Sequence, residues 1–164
     1  MSEVLVVNAS PLIFLGNANR IDLLRAVGAT RVVVPEAVYA EVTRAGHGDG
    51  AAASLAGSTW IERLHEPAVP TSVVAWNLGP GESAVIAAAL SMRAARAVID
   101  DRQGRRCAQA LDVEVMGTLG VVVAAHRRGH VEDPRALLME LRVAGMWLSD
   151  NVISQALAIA GVKT

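Results

Sequence analysis

The chain opens with an apolar stretch whose pattern limits the folds available to it. Residues 4–7 read Val-Leu-Val-Val, without any polar alternation. Such a run predicts a strand that is buried on both faces, as in a parallel sheet covered by helices. Asn8 follows the strand, and we interpret Ser10 as the N-cap and Pro11 as the first residue of the next helix.

The alternation of apolar runs and helix signals continues along the chain. Further strands are predicted at 31–34, 97–99 and 113–116, and an alternating strand at 60–64 favours a sheet edge. The glycine-rich stretch 46–50 predicts a loop. We therefore expect a three-layer α/β/α fold with a central, mainly parallel sheet in a single domain, 1–164. Its terminal helices, at about 134–160, are expected to pack on the core or on a partner.

Composition excludes several classes of protein. Apolar residues make up 52% of the chain and the net charge is −1, so a core can form and no global basic field attracts nucleic acid. The single cysteine, Cys107, excludes an internal disulfide. The longest apolar runs are shorter than the roughly 20 residues that span a bilayer. We expect a cytoplasmic protein that has no contact with membranes.

Polar residues recur where strands end. Asn8 follows the first strand, and Asp100 and Asp101 follow the strand at 97–99. Glu82 stands at a helix start after a Gly-Pro-Gly turn, and Glu41 lies about two turns into an earlier helix. Because the carboxyl ends of parallel strands meet at one edge of the sheet, we expect these side chains to converge there.

Each of these residues also has a purely structural interpretation. Asn8 can cap a turn, and acids at helix N-termini are favoured by the helix dipole, which applies to Glu82 and the Asp100–Asp101 pair. Glu41 can be solvated or paired with an arginine three residues later. If they converge, however, their oxygens form a site of the kind that Mg²⁺ or Mn²⁺ prefers, where a metal activates water and neutralises phosphate charge. No zinc spacing or phosphate-binding glycine loop is present.

Six segments together resemble the PIN-domain superfamily, in a prokaryotic PIN-like, VapC-toxin-like subgroup of poorly defined function. They are VVNASPLI (6–13), VPEAVYAEV (34–42), LGPGESAVIA (78–87), VIDDR (98–102), VMGTLG (115–120) and AGMWLSD (144–150). The resemblance keeps the order of all motifs over nearly the whole chain. It implies an α/β/α fold and a Mg²⁺- or Mn²⁺-dependent endoribonuclease, the toxin of a type II toxin–antitoxin pair. Its implied partners are RNA, a cognate antitoxin and a second copy in a homodimer.

The resemblance also assigns roles to individual residues. The four catalytic positions fall on Asn8, Glu41, Glu82 and Asp101, with Asp100 as an alternative for the last. The implied metal ligands are Glu82, Asp100, Asp101 and Asn8. Ser10, Thr118, Arg102 and Arg105 are the implied substrate-binding residues, although a run of arginines is also typical of a solvated helix face.

Asn8 departs from the family pattern, which has Asp at this position. An amide contributes one neutral oxygen and cannot act as a base, so a metal would lose a charged ligand. Three functions therefore stay open: a ribonuclease, a catalytically weakened PIN-like protein that binds RNA or a partner, and a structural subunit that assembles through apolar helices.

Overall fold

Five parallel strands form the centre of the structure, a computed structural model that describes residues 3–44 and 49–163. In chain order the strands are β1 (Val4–Val7), β2 (Arg31–Pro35), β3 (Ile61–Leu64), β4 (Ala95–Val98) and β5 (Glu114–Met116). Their order in the sheet is β3-β2-β1-β4-β5, and every neighbouring pair is parallel. The prediction of a three-layer α/β/α fold with a central parallel sheet is confirmed.

Ten helices are found within the described residues. They are α1 (Ala9–Asn17), α2 (Leu23–Ala26), α3 (Glu36–Thr43), α4 (Asp49–Gly57), α5 (Thr71–Val74), α6 (Pro80–Ser91), α7 (Arg102–Ala110), α8 (Thr118–Arg127), α9 (Pro134–Val143) and α10 (Asp150–Ala160). Helices α1, α3, α4 and α6 pack in one group, while α8 contacts α2, α9 and α10 in another. None of the described helices is long and apolar enough to cross a membrane.

Strand β1 lies in the middle of the core. Its side chains from Leu5 to Val7 are completely inaccessible to solvent, as expected for a strand covered on both faces. Strand β3, in contrast, occupies an edge and is only partly buried, so the edge position predicted from its alternating pattern is confirmed. The uninterrupted apolar run of β1 thus distinguishes this inner strand from the alternating edge strand β3.

Two sequence interpretations of local structure are corrected. Helix α1 begins at Ala9, so Asn8 rather than Ser10 occupies the N-cap position, and Ser10 lies in the first turn. The backbone of Asn8 is still extended, which means that the chain changes from strand to helix without an intervening turn. The predicted loop at 46–50 is partly helical because α4 begins at Asp49, and residues 45–48 lie outside the described residues.

The close packing of α1 on α4 gives a first testable prediction. A methyl group on Gly16 would lie 2.8 Å from the Cα atom of Ala51, a backbone atom that cannot move alone. We expect Gly16→Ala to lower the free energy of unfolding by about 1–3 kcal/mol, the usual cost of overpacking, measured by urea denaturation. Gly57→Ala is the matched control, because no atom lies within 4 Å of the added methyl. Equal stability of the two variants would contradict the proposed contact.

Candidate active site

The sheet topology creates a crevice at the carboxyl ends of β1 and β4. From β1 the chain builds β2 and β3 on one side, and then β4 and β5 on the other. Such a switch point is where open α/β sheets bind ligands. Asn8 directly follows β1, and its backbone N–H donates to the carbonyl oxygen of Val98, the last residue of β4. Asp100 and Asp101 come just after β4, so three of the predicted residues border this crevice.

Asn8 is the most buried of the predicted site residues except Thr118. Only 2% of its surface is exposed, and its Nδ2 donates a hydrogen bond to Glu82 Oε1 at 3.3 Å. Its Oδ1 is buried and has no hydrogen-bond partner among the described residues. A buried acceptor without a partner is costly, so the site offers a neutral oxygen that a ligand can use.

Glu82 is placed by the start of α6. Gly79 is the N-cap, Pro80 is the first helical residue and Glu82 is in the first turn. Proline is preorganised for this position and an acidic side chain is favoured there by the helix dipole, which explains why the Gly-Pro-Gly-Glu sequence begins a helix. The predicted position of Glu82 at a helix start therefore agrees with the structure, and its side chain reaches Asn8.

Glu41 approaches the same point from α3. Val38 and Val42 on this helix are fully buried, and Glu41 is half-buried beside them. A methyl group on Gly81 would lie 3.0 Å from Glu41 Oε2 and 3.3 Å from Asn8 Oδ1. The absent side chain of Gly81 thus leaves the space into which Glu41 and Asn8 both point.

Asp101 joins this group through the start of α7. It is the N-cap of that helix, and its Oδ2 accepts a hydrogen bond of 2.7 Å from the backbone N–H of Gly104. A methyl group on Gly104 would contact both Glu82 Cγ, at 3.4 Å, and Asp101 Oδ2, at 3.5 Å. Asp101 and Glu82 therefore flank one another, and Asp101 is exposed to solvent.

Asp100 has a different environment from its neighbour. Its two carboxylate oxygens accept hydrogen bonds from the backbone N–H of Thr118, at 2.7 Å, and from the Thr118 hydroxyl, at 2.6 Å. Thr118 is completely buried. The pair joins the end of β4 to the first residue of α8, so both side chains have a structural function, and their predicted roles in metal and substrate binding stay predictions.

The predicted substrate-binding residues on α7 lie around these acids. Arg102 is exposed and Arg105 is half-buried. A methyl group on Gly117 would lie 2.7 Å from Arg105 Nη1 and 2.9 Å from Asp100 Oδ1, so Arg105 borders the Asp100 side of the crevice. Cys107 on the same helix is fully buried, and burial raises the pKa of its thiol, which disfavours the thiolate and a nucleophilic role.

The donor set is compatible with a hard divalent cation. Asn8, Glu41, Glu82 and Asp101 offer oxygen atoms only, which Mg²⁺ and Mn²⁺ prefer. Within residues 3–44 and 49–163, no three His, Cys, Asp or Glu side chains stand close enough to hold a metal by themselves. A cation held here would need the free Asn8 oxygen together with water or substrate phosphate, and Mg²⁺ commonly keeps such ligands.

One residue near this group was not predicted as functional from the sequence. Trp76 is partly buried against the hydrophobic core and also lines a surface cavity together with Asp101 and Arg102. Its position depends on how the loop before α6 folds onto α7, and no local sequence signal reports that contact.

The fold and the site define an α/β protein whose parallel sheet carries acidic side chains at its switch point. A family model described as a PIN domain matches residues 4–162, and the chain therefore belongs to the PIN-domain family. Proteins of this family are generally nucleases that use divalent metal ions. No curated protein matches the chain.

Proposed function

We propose that the protein is a Mg²⁺- or Mn²⁺-dependent endoribonuclease and the toxin component of a type II toxin–antitoxin pair. The observation that carries the proposal is the convergence of Asn8, Glu41, Glu82 and Asp101 at the crevice between β1 and β4. Residues from four separate segments contribute to this group, and the buried Asn8 Oδ1 has no partner among the residues described.

The residues have distinct proposed roles. The Glu41 carboxylate lies beside Asn8 at Gly81, and the Glu82 carboxylate contacts the Asn8 amide, so both can orient an attacking water and accept its proton. Asp101 has one oxygen held by the Gly104 N–H, which fixes its direction and leaves the other oxygen for water or a cation. A divalent cation bound there would activate water and neutralise charge on the scissile phosphate.

The presence of Asn8 rather than Asp changes the electrostatic interaction with Glu82. An Asp at this buried position would face the Glu82 carboxylate across about the same gap, and two like charges so close repel each other unless a cation lies between them. The Asn8 amide instead donates to Glu82. This hydrogen bond holds the Glu82 carboxylate beside Asn8 without a cation, but the amide is a weaker metal ligand than a carboxylate.

This weaker ligand favours a second candidate function, a catalytically weakened protein that binds RNA or a protein partner. Its fold would be the same. The acidic group, which consists of Asn8, Glu41, Glu82 and Asp101, would retain its shape through the Asn8–Glu82 hydrogen bond. Fold membership alone does not decide between the two functions.

The decisive experiment measures cleavage of an RNA panel by the purified protein with Mg²⁺, with Mn²⁺ and with EDTA. We expect cleavage with either metal, no cleavage in EDTA, and a loss of about tenfold or more in Asp101→Asn, because metal-site changes typically cost that much. The panel contains total RNA, tRNA and rRNA fragments.

Asn8→Asp separates the two candidates. A wild-type protein that does not cut, together with an Asn8→Asp variant that does, would contradict the first candidate and support the weakened protein. Asn151→Asp on α10 is the matched control for the added charge, since Asn151 is exposed. The antitoxin and the homodimer named from the resemblance remain predictions.

A further inference from the structure

A surface cavity adjoins the acidic group on the side of α7. It has a volume of about 510 Å³ and is lined by Trp76, Asp101, Arg102, Gln103 and Arg106. Ligand pockets of a few hundred cubic ångströms suit a molecule of the size of one nucleotide. Asp101 belongs both to this cavity and to the acidic group, so a chain that crosses the acids can continue into the cavity.

Trp76 forms the apolar wall of the cavity. Its backbone N–H donates to Val73, and Asn77 follows with a positive φ of 52°, which turns the chain away towards α6. Gln103 Nε2 donates to the Trp76 carbonyl oxygen at 3.3 Å, so the first turn of α7 contacts this segment directly. The loop that places Trp76 is thus the same loop that leads into Glu82.

The cationic wall of the cavity comes from α7. Arg102 and Arg106 are four residues apart and lie on the same face of this helix, and both are exposed. Neither guanidinium forms an ion pair or a hydrogen bond with a described residue, whereas Arg31, Arg63 and Arg96 are each paired with glutamate. Two like charges one turn apart repel, so an anionic ligand between them would be favoured.

We propose that this cavity is a nucleotide subsite for single-stranded RNA, in which a base stacks on Trp76 and Arg102 and Arg106 bind the adjoining phosphates. The choice of RNA rests on the proposed ribonuclease function. Stacking requires an exposed base face, which a duplex does not offer, so the subsite selects single-stranded segments next to the scissile phosphate.

The test measures the affinity of the purified protein for a fluorescent hexauridylate RNA in EDTA, where cleavage does not interfere. We expect Trp76→Leu to weaken binding about tenfold, since stacking on one aromatic residue has an effect of this size. Arg102→Ala/Arg106→Ala should weaken binding and reduce the slope of log affinity against log salt by roughly 1–2, because two phosphate contacts are lost. Trp147→Leu and Arg93→Ala/Arg135→Ala are the matched controls, since these residues are exposed away from the cavity.

Two further measurements keep the test informative if Trp76→Leu is poorly folded. Trp76→Phe retains an aromatic face and should restore most of the affinity. In a Trp60→Phe/Trp147→Phe background, Trp76 is the only tryptophan, and its fluorescence should be quenched by the RNA.

Affinity that is unchanged in the arginine double variant, or Trp76 fluorescence that RNA does not quench, would overturn the subsite. This failure is distinguishable from failure of the ribonuclease proposal. Binding through the cavity without metal-dependent cleavage would uphold the subsite and overturn the nuclease. If the protein cleaves RNA with Mg²⁺ and none of the cavity variants alters either cleavage or binding, the ribonuclease proposal is upheld and the subsite is overturned.

Discussion

Glu82→Gln is expected to reduce metal-dependent RNA cleavage by about a hundredfold or more, because a ligand of the proposed cation and a proton acceptor are lost together. Glu82 contacts Asn8 and flanks Asp101, so it is central to the acidic group. Gln has almost the same shape as Glu, so the free energy of unfolding should change little. Initial cleavage rates at saturating Mg²⁺, with the unfolding midpoint measured in parallel, provide the test.

Glu132→Gln is the matched control for this substitution. Glu132 is an exposed glutamate that follows Val131 and lies far along the chain from the acidic group. Its variant should cut RNA at the wild-type rate. Full activity in Glu82→Gln would refute the assignment of the acidic group as the active site.

The second large effect is expected on stability. Asp100→Ala should lower the free energy of unfolding by about 2–4 kcal/mol, because the buried N–H and hydroxyl of Thr118 would each lose a charged acceptor. These two hydrogen bonds, at 2.7 and 2.6 Å, attach the end of β4 to α8. Urea denaturation of the purified variant measures the loss.

Asp100→Asn and Thr118→Val refine this prediction. An amide can accept from the Thr118 N–H and donate to its hydroxyl, so Asp100→Asn should be milder than the alanine variant. A double-mutant cycle with Thr118→Val should give an interaction energy of about 1 kcal/mol or more for this buried pair. An interaction energy of zero in this cycle would show that the contact between Asp100 and Thr118 does not stabilise the fold.

The sheet could be predicted from the sequence because its strands carry strong local signals. Residues 4–7 and 32–34 are uninterrupted apolar runs, and β1 and β2, two of the inner strands, are found there. The predicted ends of the helices and strands agree less well with the structure. Ser10 and Asn8 are both good N-cap residues by type, so residue preference does not distinguish them, and the chain enters α1 directly from Asn8.

From the sequence, the site could be predicted only as a set of residues near the carboxyl edge of the sheet, without the contacts between them. The position of Glu41 depends on how α3 packs against α6, and this contact involves residues 40 positions apart in the chain. Asp100 and Asp101 are equivalent in sequence, since both follow the same strand. The structure distinguishes them, because Asp100 is hydrogen-bonded to Thr118 whereas Asp101 caps α7 beside Glu82.

The two edges of the sheet determine how this protein can associate with others. Edge strand β3 carries Glu62 and Arg63, which pair with Arg31 and Glu36, and the opposite edge, β5, has only three residues. Charged or very short edges discourage the addition of a further strand from another molecule. Assembly by extending the sheet, and the fibrous aggregation that can follow from it, are therefore disfavoured. Helical surfaces are therefore a more favourable contact for a protein partner than either edge of the sheet.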